Sequence, residues 1–365
     1  MNTPHTKSTQ ALHALGQSLW LDNITRDLLN DGTLERYVAE LDVTGLTSNP
    51  TIFDEAIGAG SAYDADIRDK ARSGLTGEAL FMELAIADLR RAADLFRPIH
   101  ERTHGLDGWV SMEVSPLLAG DAEATIEAAR RIHAMAERPN LYVKIPGTTA
   151  GIEAIEAVIF EGVPVNVTLL FSREQYVAAA EAYMRGLERR LAAGRHLKVS
   201  SVASVFVSRW DRAVSDRAPP DLKNRLGIAI GGRTYRAYRH LLDSARWRAL
   251  ADAGAAPQRL LWASTGVKDK AAPPDLYVSA LAAPDTIDTM PEKTLLAYAE
   301  RGRMSAPMAR DGAAAEETLG RFTAAGIDLD ALATQLQVDG AQSFVKSWTE
   351  LLDRIADKGA ALATT

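Results

Sequence analysis

Polar and apolar positions change period repeatedly along this chain. Short apolar runs rich in β-branched residues alternate with longer stretches in which apolar residues recur every three or four positions. The first kind predicts strands and the second amphipathic helices. Strands are predicted at Ser18–Asp22, Asp42–Leu46, Trp109–Val114, Leu141–Ile145, Pro164–Leu170, Lys198–Val207, Arg259–Ser264 and Leu276–Leu281. Helices are predicted at Thr33–Leu41, Gly77–Phe96, Asp121–Ala136, Thr149–Phe160, Ser172–Ala193, Ala229–Asp243 and Pro291–Glu300. Ser172-Arg-Glu-Gln has the spacing of a capping box, and Asp121 puts a carboxylate where a helix start prefers one.

Strands separated by helices pair in parallel, because each crossover needs a helix. Eight such strands suit a closed (β/α)8 TIM barrel better than an open doubly wound sheet. The open sheet would want a Gly-x-Gly-x-x-Gly turn after an early strand. The nearest glycine cluster, Gly227-Ile-Ala-Ile-Gly231-Gly232, lies in a helical stretch and lacks that spacing. Further helical patterns occur at Glu316–Ala325 and Ala341–Ala356. The expected architecture is therefore α/β: a (β/α)8 barrel with extra N- and C-terminal helices. Residues 1–365 would form one domain, with the C-terminal helical extension beginning at about residue 302.

Composition narrows the chemistry. The absence of cysteine removes disulfides, zinc ribbons, iron–sulfur ligation and a thiolate nucleophile. A net charge of −7 argues against a nucleic-acid-binding face. The longest run without an acidic or basic side chain, Ser8–Leu21, is shorter than the roughly 18 residues of a membrane span. Met1–Gln10 contains no apolar signal core, so a cytoplasmic location is expected.

One motif is a decoy. His100-Glu-Arg-Thr-His104 matches the H-E-x-x-H zinc pattern, which needs both histidines on one helical face. Pro98 precedes it and Gly105 follows it, so a turn or loop is expected there and no metal.

In a parallel barrel the active site lies at the C-terminal ends of the strands. The polar residues expected there are Asp22, Asn49, Glu113, Lys144, Asn166, Thr168, Ser204, Arg209 and Ser264. Lys144, between Tyr142-Val143 and Ile145-Pro146, must point into the barrel. Burial disfavours an ammonium, and a neutral amine attacks carbonyls to form a Schiff base. A structural lysine bridging Asp22 or Glu113 is the alternative. Those two carboxylates suit proton transfer, or simply salt bridges. Asn166 and Thr168, two positions apart, face the interior together, and an interior polar pair favours function. Arg209 suits a phosphate, or an ion pair on a helix surface.

These stretches resemble the transaldolase family. The resemblance rests on Gly45-Leu-Thr-Ser-Asn-Pro-Thr-Ile-Phe53, Val110-Ser-Met-Glu-Val-Ser-Pro116, Leu141-Tyr-Val-Lys-Ile-Pro-Gly147 and Val165-Asn-Val-Thr-Leu-Leu-Phe-Ser172. It extends to Ser204-Val-Phe-Val-Ser-Arg209 and Trp262-Ala-Ser-Thr-Gly266, and runs from about Trp20 to Leu296. The chain looks like the longer bacterial branch. The resemblance implies transfer of a dihydroxyacetone unit in the non-oxidative pentose phosphate pathway, without metal or organic cofactor. Donors would be fructose 6-phosphate or sedoheptulose 7-phosphate, and acceptors erythrose 4-phosphate or glyceraldehyde 3-phosphate. Carried over, Lys144 forms the Schiff base, Glu113 is the acid–base through a water held by Thr168, and Asp22 takes the C4 hydroxyl proton. Asn49 and Asn166 orient the dihydroxyacetone hydroxyls, Ser204 bonds within the pocket, and Arg209 and Ser264 bind phosphate. Shorter members have arginine two residues after the Ser264 position. Gly266 stands there in this chain, which leaves Lys268 as the substitute phosphate ligand. Related fructose-6-phosphate aldolases carry Gln and Tyr where this chain has Glu113 and Phe206. A sugar-phosphate-binding barrel without catalysis would usually have lost one of Asp22, Glu113, Lys144 or Thr168. The family includes monomers and homodimers.

Overall fold

The computed structural model describes residues 8–304 and 306–363; Met1–Lys7, most of the segment read for a signal core, lies outside them. Eight parallel strands close into a barrel in chain order. They are β1 (Ser18–Asp22), β2 (Val43–Thr47), β3 (Trp109–Glu113), β4 (Leu141–Pro146), β5 (Val165–Leu170), β6 (Ser201–Phe206), β7 (Arg259–Ala263) and β8 (Thr286–Met290). Additional helices flank the barrel, among them Ser8–Leu15 before β1, and Ala313–Ala324 and Leu329–Ala363 after β8. No helix among the described residues is long and apolar enough to cross a membrane.

Side chains alternate across each strand. The outward set, including Leu19, Leu21, Val110, Met112, Val143, Ile145, Val165 and Val167, packs with the helices. The inward set begins with large rings. Trp109 and Tyr142 stack with centroids 4.0 Å apart, and Trp20 lies 6.2 Å from Tyr142. Beneath them a polar plug closes the floor. Asp107 accepts from Trp20 Nε1 (2.8 Å), Thr44 Oγ1 (2.8 Å) and Ser18, while Arg259 Nη2 donates to Ser18 Oγ (2.8 Å) and the Thr286 carbonyl (2.7 Å). With these donors directed at acceptors beneath stacked rings, the floor is a packed core and not a pore.

Seven strands fall where the hydrophobic pattern put them, within a few residues, but the eighth does not. Leu276–Leu281 was expected to be a strand; Leu276–Ala280 is instead a helix. Asp275 supports it, accepting from Ser279 Oγ at 2.9 Å. A short apolar run does not distinguish strand from buried helix. The true β8, Thr286-Ile-Asp-Thr-Met290, looks polar because its outer face carries a carboxylate. Asp288 is fully buried; its Oδ1 accepts from Thr265 Oγ1 at 3.0 Å, and its Oδ2 has no hydrogen-bond partner among the described residues. Burial pushes its pKa up to about 7.

The helix expected to stop at Phe96 runs on through Pro98 to Arg102. Proline removes one bond, to the Asp94 carbonyl. Burial of Phe96 and Ile99, and the edge contact of His100 on Trp109 at 4.8 Å, carry the helix past it. His100 is therefore helical, not in a turn. His104 lies beyond the end with φ 54°, so the two histidines do not share a helical face. The capping box at Ser172 forms as expected, Ser172 Oγ accepting from Gln175 N at 3.1 Å and Gln175 Oε1 from Ser172 N at 3.2 Å.

Two stability predictions follow from this packing. A Cβ on Gly45 would lie 2.7 Å from the Trp20 indole and the Trp109 carbonyl, and Asp107 fixes that indole. Gly45→Ala should destabilise by about 1–3 kcal/mol, read as a lower urea midpoint; an unchanged midpoint would refute the contact. Asp288 holds a proton in the folded state up to about pH 7, whereas an unfolded aspartate releases it near pH 4. The contribution of Asp288 to stability must therefore fall as pH rises from about 4 to 7, by at most about 4 kcal/mol. Asp288→Asn should remove that fall, so that its urea midpoint changes less than wild type's between pH 5 and 8.

Candidate active site

The strand register brings the chemistry together. Glu113 pairs across β3 and β4 with Lys144, and Lys144 pairs across β4 and β5 with Asn166. Lys144 Nζ lies 3.4 Å from Glu113 Oε2 and donates to the Ser48 carbonyl at 3.1 Å. Both side chains are buried. Asp22, at the end of β1, accepts from Thr47 Oγ1 at 2.8 Å and from the Asn49 side chain. Asn49 also caps the helix Pro50–Ala59, its Oδ1 accepting from Ile52 N at 3.1 Å, which holds its side chain at the mouth.

Burial pushes the pKa of both carboxylates up. The charge of Lys144 opposes this for both, and Asp22 adds to the rise at Glu113. One cation beside two water-poor carboxylates favours retention of a proton on the pair. A carboxylate whose pKa is raised in this way is suited to both giving and taking a proton.

Asn166 is fully buried and bridges two hydroxyls, donating to Ser111 Oγ at 3.1 Å and accepting from Ser204 Oγ at 2.7 Å. Thr168 Oγ1 is buried with no hydrogen-bond partner among the described residues. A cavity of about 540 Å³ opens above this layer, lined by Asp22, Asn49, Lys144, Thr168, Ser204, Phe206, Arg209, Ser264 and Lys268 among others. Glu113 and Asn166 stand beside Lys144 on the flanking strands and do not line it.

Cations gather at one side of the cavity. Arg209 is on the short helix Ser208–Ala213, just past β6. Its guanidinium lies over the Phe206 ring at 5.2 Å, and burial lowers its pKa, helped by Arg212 and opposed by Asp339. Ser264, with φ 55°, exchanges a 3.0 Å hydrogen bond with Ser208. Lys268 turns back over Gly266, its Nζ 3.9 Å from where a Cβ on that glycine would lie. Two cations and the Ser264 hydroxyl at the rim of an otherwise acidic chain have the chemistry to attract an anion.

The family model for transaldolase/fructose-6-phosphate aldolase matches residues 19–355. The chain belongs to the transaldolase/fructose-6-phosphate aldolase family. It is 45% identical to a transaldolase of Thermobifida fusca over 96% of this chain and 98% of that protein. It is 43% identical to a transaldolase of an Arthrobacter species, covering 95% of this chain and 96% of the relative. It is 41% identical to transaldolase 2 of Nostoc punctiforme, over 94% and 95%.

Some residues of the mouth escape the sequence reading. Thr289 Oγ1 bonds Thr47 Oγ1 at 2.7 Å and so braces the partner of Asp22. It is missed because β8 is misplaced; the β-branched run Thr286-Ile-Asp-Thr ahead of Pro291 is its signal. Ser48 acts through its carbonyl, which no side-chain pattern reveals. Ser343 and Phe344 enter the cavity from the C-terminal helix Leu329–Ala363. A larger apolar cavity, about 640 Å³, lies among Ile228, Gly232, Leu276 and Met308 and shares no residue with the mouth.

Proposed function

We infer that this chain is a transaldolase working through a Schiff base on Lys144. The observation that carries the reading is the Lys144 amine 3.4 Å from a buried Glu113, in a mouth shared with Asp22 and the cationic rim. Lys144 passes a proton to Glu113 and attacks the C2 carbonyl of the donor ketose phosphate. Glu113, through a water held by the free hydroxyl of Thr168, protonates the departing C2 oxygen, and water leaves to give the iminium. Asp22 takes the C4 hydroxyl proton, the C3–C4 bond breaks, and its electrons run through C3 and C2 to the iminium nitrogen. The aldose phosphate departs and leaves a three-carbon enamine on Lys144. Attack of C3 on the acceptor aldehyde, with Asp22 returning its proton to the new hydroxyl, reverses the sequence. Hydrolysis of the iminium then frees the product.

Asn49, Asn166 and Ser204 orient the hydroxyls of the bound fragment, Asn166 from the buried layer. Arg209, Ser264 and Lys268 hold the phosphate. The donors are fructose 6-phosphate or sedoheptulose 7-phosphate, the acceptors erythrose 4-phosphate or glyceraldehyde 3-phosphate. Glu113, and Phe206 with no hydroxyl on its ring, favour transfer over simple aldol cleavage. The same reading treats residues 1–365 as one domain, acting in the cytoplasm as a monomer or homodimer.

Reduction with borohydride in the presence of fructose 6-phosphate should leave a dihydroxyacetone-derived mass on Lys144, and Lys144→Arg should abolish both adduct and turnover. An adduct elsewhere, or none, refutes the mechanism. Steady release of free dihydroxyacetone without an acceptor would instead indicate an aldolase. Lys268→Ala should raise KM for sugar phosphates about tenfold, leaving kcat within about threefold, as loss of a surface-facing phosphate charge would. Equal KM values would remove Lys268 from the phosphate site.

A further inference from the structure

The barrel itself does not supply every wall of the mouth. Phe344, half-buried on the helix Leu329–Ala363, places its ring centroid 5.6 Å from Lys144 Nζ and 5.9 Å from the Arg209 guanidinium carbon. It lines the same cavity as Asp22, Asn49 and Thr168. One ring thus lies against both the reactive amine and the phosphate-side arginine.

The helix that carries it is pinned on both sides of the mouth. On one side, Gln337 Nε2 donates to the carbonyls of Gly147 and Leu169, both at 3.0 Å, next to the ends of β4 and β5. Gly340 lets the helix come close there, since a Cβ would lie 2.9 Å from Leu169 Cδ2 and 3.3 Å from Arg209 Nη1. On the other side, Ser347 bonds Thr51 at 2.9 Å, Arg354 pairs with Asp54, and Lys358 Nζ reaches Asp64 at 2.7 Å and the Ile57 carbonyl at 2.7 Å. Gln337, Gly340, Phe344, Ser347, Arg354 and Lys358 follow one helical face. The ring lies between two sets of anchors, so its place is set by a helix and not by a loop.

We propose that Phe344 is a positioning residue that shields the Lys144 adduct from water and so favours transfer over release. The proposal rests on the Schiff-base reading above. The three-carbon enamine has two fates. In transfer, C3 bonds to the acceptor aldehyde carbon, the resulting alkoxide takes a proton, and water later hydrolyses the iminium of the lengthened ketose. In release, C3 takes a proton instead, water adds to C2, the C2–N bond breaks, and free dihydroxyacetone leaves with the lysine amine restored. Both fates begin at one enamine, so the access of water and protons to it decides between them. A ring over the amine occupies the approach on that side. Its π-face also favours the cationic nitrogen of the iminium.

The test compares Phe344→Ala and Phe344→Leu with wild type, using fructose 6-phosphate and erythrose 4-phosphate. Transferred product and free dihydroxyacetone are quantified in the same reaction, and Lys144 is trapped with borohydride. Phe344→Ala should raise free dihydroxyacetone per transfer about tenfold. Phe344→Leu, which keeps the bulk and the helix, should restore a ratio within about threefold of wild type. A wild-type ratio in Phe344→Ala, with the Lys144 adduct retained, overturns the shielding role alone. No adduct in wild type overturns the Schiff-base reading and the shielding role together. A raised ratio in Phe344→Leu as large as in Phe344→Ala, with the adduct retained, overturns shielding by bulk.

Discussion

A lysine amine inside a barrel needs carboxylates beside it and walls that exclude water. The rest of the structure is arranged around that requirement. Parallel register sets Glu113 opposite Lys144, and strand alternation turns both toward the axis. The next strand over supplies Asn166, which ties Ser111 to Ser204 and so links β3, β5 and β6 across the layer below the amine. Asp22 is steadied by Thr47, which Thr289 braces in turn. These are interlocked hydrogen bonds at the strand ends. Truncating one member leaves a buried partner unsatisfied, a larger loss than one bond.

Electrostatics divide the mouth into two zones. Around Lys144 the carboxylates have raised pKa values and can hold or release a proton. Across the cavity, Arg209 rests on the Phe206 ring with no carboxylate paired to it among the described residues. The charge of −7 is therefore a sum over the whole chain, in which a small cationic rim survives opposite two buried carboxylates.

The barrel, and the placing of most candidate site residues at its mouth, are legible in the sequence because strand alternation and strand-end position are local properties. Tyr-Val-Lys-Ile-Pro can put its lysine nowhere but inward when its neighbours must pack outward. What escapes depends on tertiary context. Asp288, a carboxylate on an outer strand face, hides β8, while the mostly apolar run of Leu276–Leu281 imitates a strand. The helix passes Pro98 because packing on Phe96 and Ile99 outweighs one lost bond. Phe344 looks like any apolar residue of an amphipathic helix, and only the anchors at Gln337 and Ser347 aim it at the mouth.

The sealed floor has a consequence for access. Trp20, Trp109 and Tyr142, with the Asp107–Arg259 plug beneath them, leave the barrel interior no rear exit. Whatever enters the site must therefore come and go through the one mouth at the C-terminal ends of the strands.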